Sequence, residues 1–162
     1  MAQPPTSPTV GAAVVVFLVR RSDQHVLIGK RKGKHGDGEW ELPGGQIEYG
    51  ESFSDSCQRE VREETGLNCR NIQLVCVKNK VFDVIRRQFV VLFFSAECID
   101  DDPQPVTMEP DKSQGWRWVP WCDICQGKYT PLFGILNDIA QEYPEPPWRM
   151  EVQTVKASPT TT

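Results

Sequence analysis

No run of this sequence is long and apolar enough to cross a membrane. The most apolar stretch, Ala12 to Val19, falls far short of the roughly twenty residues a spanning helix needs. The start is equally poor in targeting signals: Met1 to Thr9 holds proline, serine and threonine and no basic residue. No signal peptide is therefore expected, and the cytoplasm is the expected compartment. Positive charge is not in excess. Lys and Arg number 18 against 22 Asp and Glu, a net charge of −4, which argues against a nonspecific grip on a nucleic-acid polymer. No internal repeat is visible. A complete zinc site is missing as well. Cys122-Asp123-Ile124-Cys125 is a CxxC, but His25 and His35 lie far off in sequence and no second ligand pair follows at suitable spacing. A redox role for the CxxC needs an exposed, activated thiolate. Without a secretory signal, the cysteines at 57, 69, 76, 98, 122 and 125 are expected as reduced thiols. Cys57, Cys76 and Cys98 are expected as small core residues.

What is present fits one soluble domain: 162 residues can bury a real core. Residues 10–150 are expected to be that domain, with 1–9 and 151–162 as disordered tails. Val10 to Arg20 is apolar and β-branched and predicts a central strand. His25 to Lys30 returns as a second strand after a turn. Lys34 to Glu39 reads as a mobile loop. Ile72 to Phe82 and Gln88 to Cys98 predict a strand pair, the second internal. Asp100 to Pro105 predicts an exposed turn; its prolines and flexibility give its three aspartates no fixed geometry for a metal. Trp116 to Val119 is a short strand. Leu132, Ile135, Leu136 and Ile139 fall at helical spacing, predicting a helix over Pro131 to Tyr143. Two main helices around a curved mixed β-sheet make an α-β-α sandwich of the α+β class.

The chemistry is concentrated between Gly44 and Leu67. Gly44-Gly45 after Pro43 is a turn signal. Ser52 or Ser54 can cap a helix that ends at Gly66, a good residue past a helix end. Phe53, Cys57 and Val61 recur at i, i+4, i+8 and predict the buried stripe. Successive helical residues rotate by about 100°, so Glu60 and Glu64 lie roughly 40° apart on one face, with Glu63 on its flank. Carboxylates packed this closely repel unless neutralised. A hard divalent cation does that, and Mg²⁺ takes carboxylate oxygens, waters and substrate phosphates. The Gly45 carbonyl can add an oxygen, and Arg59 can pair with a glutamate and hold it in place. A lone Glu-Glu pair would be read as a solvated face. Here Gly45, Glu51, Arg59, Glu60, Glu63, Glu64 and Gly66 match one pattern together with the aliphatics Val61 and Leu67. A chance match at a given start is on the order of one in a hundred million.

That pattern is the Nudix box, and the chain resembles Nudix hydrolases, above all the small MutT-like nucleotide hydrolases, from about Val10 to Tyr143. Leu27 to Lys32, Trp40 to Gly45, Met108 to Lys112 and Trp116 to Trp121 resemble further segments of that group. The resemblance implies Mg²⁺- or Mn²⁺-dependent hydrolysis of a nucleoside diphosphate linkage by water. It implies Glu60, Glu64 and the Gly45 carbonyl as metal ligands, with Glu63 a further or water-mediated one. Glu51 would structure the loop and help at the metal cluster, Arg59 would orient a glutamate, and the general base would be a box glutamate or Glu109 or Asp111 downstream. A homodimer is implied by similarity alone.

For substrate, Arg31 is the candidate phosphate contact, ahead of Lys30, Lys32 and Lys34, because a strand end holds it. Leu42, Gly44, Phe133 and Leu136 are the other substrate-contact candidates, with Phe82 and Trp116 as further flat faces for a purine. Phe133 and Leu136 match positions of base contacts in the animal nucleotide hydrolases. Gly134 stands where related sequences carry a tryptophan, which removes an aromatic wall and puts oxidised-guanine specificity in doubt. Three expectations therefore compete: a nucleoside triphosphate pyrophosphohydrolase, an isoprenoid diphosphate hydrolase, and a silent ligand- or protein-binding module.

Overall fold

The computed structural model describes residues 8–33, 35–83 and 86–149. The expected tails at 1–7 and 151–162, and Lys34, lie outside the described residues. Seven strands form one sheet: β1 Thr9–Val19, β2 Val26–Arg31, β3 Trp40–Glu41, β4 Gly44–Gln46, β5 Cys69–Phe82, β6 Arg87–Cys98 and β7 Ser113–Val119. Their order is β3-β2-β1-β6-β5, with β4 against β1 and β7 against β2. β1 runs parallel to β6 over its whole length, Thr9 opposite Arg87 through Val19 opposite Glu97. The other pairings are antiparallel, so the sheet is mixed. The first strand thus begins at Thr9, one residue into the expected tail.

β1 is apolar on both faces because both are covered. On one side Val14, Val16 and Leu18 pack with Leu92 and Phe94 beneath helix α1, Phe53–Thr65. On the other, Phe17 and Phe93 pack beneath α2, Trp121–Cys125, and α3, Leu136–Glu142. A 3₁₀ turn, Pro147–Arg149, adds Trp148 to the second core. The result is the expected sandwich, with three α-helices among the described residues rather than two. α2 spans five residues, too few to leave a periodic signature.

α1 is specified locally. Ser52 caps it, accepting from the Asp55 backbone N–H at 3.1 Å while Asp55 reaches back, a reciprocal capping box. Gly66, at φ 71°, ends it. Cys57 and Val61 are fully buried as expected, but Phe53 is 51% exposed. It is the first residue of the helix, and its ring touches Phe94 with centroids 6.1 Å apart without being covered.

α3 starts five residues later than the periodicity predicts. The Trp40 N–H donates to the Pro131 carbonyl and the Phe133 N–H to the Trp40 carbonyl, both at 2.8 Å. This bridge to β3 holds Pro131 to Phe133 extended, and Gly134 at φ 62° then turns the chain into the helix. No helix among the described residues is long and apolar enough to cross a membrane.

Candidate active site

A cleft of about 710 Å³ opens where α1, the Gly44-Gly45 turn, the loop at Glu109 and the start of α3 meet on the sheet. Its two ends differ in chemistry.

The acidic end is organised by Arg59. Its guanidinium donates to Glu51 at 2.6 and 2.9 Å, to Glu60 Oε1 at 2.7 Å, to Glu63 Oε2 at 3.2 Å and to the Gln46 carbonyl at 3.0 Å. Glu51 also accepts from the Ser56 hydroxyl at 2.6 Å and the Glu48 N–H at 3.0 Å. Arg59 foremost, with these donors, holds the Glu51 carboxyl down to about 2. Glu51 does not line the cleft; it fixes Arg59 from behind.

Glu60, Glu63 and Glu64 all face the cleft. Glu60 is only 8% exposed, and burial pushes its pKa up against the pull of Arg59. Glu64 accepts from the Gly44 N–H at 3.1 Å. Burial, then the nearby Glu41 charge, pushes its pKa well above the usual carboxylate range. Glu63 is half-exposed. Glu109 joins them, its carboxylate 2.6 Å from Lys112 Nζ. Asp111, the other expected base candidate, is exposed and does not line the cleft.

The two turn glycines make this approach possible. A Cβ on Gly45 would lie 2.4 Å from Glu60 Oε1, and one on Gly44 would lie 2.3 Å from the Val14 carbonyl oxygen. Gly44 meets backbone and tolerates no side chain, whereas a side chain at Gly45 would displace the Glu60 carboxylate.

A divalent cation suits this donor set. Hard carboxylate oxygens crowd against a turn with no Cβ, and two of them have lost solvation without gaining a full counter-charge. Yet among the described residues no three Asp, Glu, His or Cys side chains already converge on one point. Glu60 and Glu63 lean on Arg59, and Glu64 leans on the Gly44 N–H. Loading a cation therefore requires carboxylates to turn away from Arg59.

The apolar end is walled by Phe82, Phe89, Val91, Phe93, Ile135 and Leu136. Phe82 and Phe89 meet edge-to-face, centroids 6.0 Å apart. Leu42 lines the cleft between the ends. Phe133 lies under the Arg31 guanidinium, whose central carbon is 3.8 Å from the ring centroid. Arg31 does reach the cleft, but it is already ion-paired with Glu41 and donates to the His35 carbonyl at 3.0 Å. Lys32 lines the cleft too, whereas Lys30 turns to Trp40 and does not.

Two features were not foreseen. Trp116 is no wall for a purine: it packs under α1, and its indole N–H donates to the Glu64 carbonyl at 3.0 Å. It pins the helix end that carries the carboxylates. Glu41 is a half-buried acid of the site, its pKa raised by burial against the opposing pull of Arg31. Period-two alternation sets Glu41 on the face opposite Trp40 and Leu42, so the local pattern carries no signal for a second inward acid.

A family model described as NUDIX domain matches residues 9–136. The 8-oxo-dGDP phosphatase NUDT18 of Mus musculus is 34% identical over 77 residues, covering 48% of this chain and 24% of that protein. Nudix hydrolase 6 of Arabidopsis thaliana is 24% identical over 151 residues, covering 91% of this chain and 45% of its own. The chain thus spans less than half the length of either curated relative. Among solved structures, the MutT NUDIX hydrolase from Burkholderia pseudomallei superposes with a TM-score of 0.68 at 25% identity, covering 83% of this chain and 97% of that one.

Proposed function

Because the chain belongs to the NUDIX domain family, we propose that it hydrolyses a diphosphate linkage in a nucleoside triphosphate, including oxidised or otherwise modified purines. The products are a nucleoside monophosphate and pyrophosphate. One observation carries this reading: a single cleft joins crowded carboxylates at one end to an aromatic wall at the other. Phosphates suit the first end and a base suits the second. The name of the mouse relative, an 8-oxo-dGDP phosphatase, supports a purine nucleotide as substrate, there a diphosphate.

In this reading Glu60, Glu64, Glu63 and the Gly45 carbonyl hold Mg²⁺, with Mn²⁺ as a substitute. When bound, the cation supplies neutralisation of phosphate charge and lowers the pKa of a water. The protein's own groups do the rest. Arg59, fixed by Glu51, sets the positions of Glu60 and Glu63. Glu109, steered by Lys112, takes the proton of the attacking water. Arg31 contacts the phosphate chain while Phe133, Leu136 and Leu42 flank the base. The Gly44 N–H holds Glu64 at the turn.

A second reading has its own support. The carboxylates lie at the end formed by α1, β3 and the Glu109 loop, and none stands among the side chains of the apolar wall. Among the described residues that wall offers no acid to hydrogen-bond a purine edge, so an isoprenoid diphosphate fits it as well.

One panel tests both. Purified protein with Mg²⁺ is given canonical nucleoside triphosphates, 8-oxo-dGTP, dinucleotide cofactors and geranyl diphosphate, and released phosphate and pyrophosphate are measured. Turnover of at least one nucleotide, abolished by EDTA, is expected. Turnover of geranyl diphosphate alone would replace the first reading with the second. Silence across the panel would make the domain a binding module.

A further inference from the structure

The described cysteines differ in exposure, and Cys122 alone among them is exposed. Cys57, Cys69 and Cys98 are buried, and Cys76 is half-buried in the sheet. Burial pushes the Cys57 thiol up to about 12 and the Cys69 thiol up to about 11, so neither offers thiolate at neutral pH. Cys69 and Cys98 face each other across β5 and β6, yet both are sealed in the core. Cys122 is exposed and Cys125 half-buried. They sit three residues apart on α2, and neither lines the cleft.

The form of α2 favours a bond between them. Trp121–Cys125 is one α-helical turn, and the Gln126 N–H donates to the Cys122 carbonyl at 2.9 Å. On such a turn residues i and i+3 are neighbours on one face, and a rise of about 1.5 Å with a rotation of about 100° per residue puts their Cα atoms about 5 Å apart. A disulfide spans roughly 4.4–6.8 Å between Cα atoms. The turn itself is anchored. Trp121 and Ile124 are buried at 2% and 1% exposure, and the Trp121 indole N–H donates to the Tyr143 carbonyl at 2.8 Å. Cys125 Sγ lies 3.7 Å from the same carbonyl and 4.0 Å from that of Pro144. It is held as a half-covered partner, while Cys122 stands outside to receive attack or deliver it.

We infer that Cys122 and Cys125 form a dithiol oxidation site, converted by a peroxide or a small disulfide into an intramolecular disulfide across one turn of α2. With peroxide, the Cys122 thiolate attacks one oxygen and breaks the O–O bond. The departing hydroxide takes up a proton and leaves as water, and Cys122 becomes a sulfenic acid. Cys125 sulfur then attacks Cys122 sulfur and expels hydroxide, which leaves as water with the remaining thiol proton. Two thiols lose two electrons in all, and one peroxide becomes two waters. With a small disulfide, Cys122 attacks one sulfur and releases a thiol. Cys125 then attacks Cys122 and releases the second.

The test uses the full chain and no assay of its activity. Cys122 and Cys125 share one tryptic peptide, Trp118 to Lys128, so a bond between them lowers that peptide's mass by two hydrogens. Reduced protein is treated with hydrogen peroxide, or separately with glutathione disulfide, then alkylated and digested. The expected result is that mass loss in both arms, reversed by dithiothreitol. Before oxidation, Cys122 should react with iodoacetamide at least about tenfold faster than Cys57, Cys69 or Cys98. In Cys125→Ser, glutathione disulfide should leave a trapped adduct on Cys122; in Cys122→Ser, Cys125 should carry none in the same time. Four results would overturn the inference. They are Cys122 and Cys125 still free after oxidation, a stable adduct on Cys122 in the unsubstituted chain, a link between two chains, or a first bond joining Cys69 to Cys98.

Discussion

The two ends of the cleft are built on different principles. At the acidic end each side chain is fixed by named hydrogen bonds: Arg59 to three glutamates and a carbonyl, Glu64 to the Gly44 N–H, Glu109 to Lys112. At the other end Phe82, Phe89, Phe93 and Leu136 are held by packing and shape. Directional bonds fix a geometry for one reaction. Packed apolar walls exclude water but discriminate weakly between ligands of similar size. The reaction class is therefore written at one end and substrate choice, more loosely, at the other.

The strongest way to break this contrast is at Glu64. Glu64→Gln keeps an oxygen for the Gly44 N–H and removes a charge that burial disfavours. Turnover of whichever substrate the panel identifies should fall by about a hundredfold or more, as for loss of a metal ligand. The melting temperature without metal should hold or rise, because a neutral amide carries no buried charge. Retained turnover would take Glu64 out of the proposed site. The apolar end should answer differently. Phe133→Ala removes the ring beneath Arg31, and KM should rise about tenfold with kcat within about threefold, the loss of one stacking contact. Equal losses in kcat from both substitutions would erase the distinction between the ends.

The same contrast explains what could be read from sequence. The helix, its Ser52 cap, its Gly66 stop and the facing of Glu60, Glu63 and Glu64 depend on contacts within a few turns, and periodicity records those. Strands β1, β2, β5, β6 and β7 were legible for a related reason: their apolar runs are continuous or alternate. What escaped depends on partners far along the chain. The late start of α3 is set by Trp40, about ninety residues upstream, taking the backbone of Pro131 and Phe133. Glu41 is an acid of the site because β3 lies beside β2 and Arg31. Trp116 supports Glu64 instead of a base because β7 pairs with β2 beneath α1. Phe53 follows the helical stripe in sequence, yet its position at the helix start leaves it half uncovered.

The smallest expected effect separates the charges of the acidic end from one another. Glu64, Glu60 and Glu41 have folded-state pKa values raised, burial first, above the 4.5 of the unfolded chain. Such groups add stability that is complete below the unfolded value and is lost as pH rises through the folded one. Glu51 runs the other way. Arg59 lowers it from 4.5 to about 2, so its contribution is present above 4.5 and disappears as pH falls toward 2. Metal-free protein should therefore melt higher as pH drops from 8 toward 5, by a few degrees on the order set by a small domain's unfolding entropy. Below about 4.5 the trend should reverse as Glu51 takes up its proton. Saturating Mg²⁺ should flatten or invert the upper limb, because a bound cation stabilises the ionised carboxylates that the empty site penalises. Thermal melts across that range, in EDTA and in Mg²⁺, measure both limbs. A melting temperature that falls steadily from pH 8 in EDTA would mean that the buried glutamates impose no cost on the fold. The electrostatic argument for a cation at this end would then lose its basis.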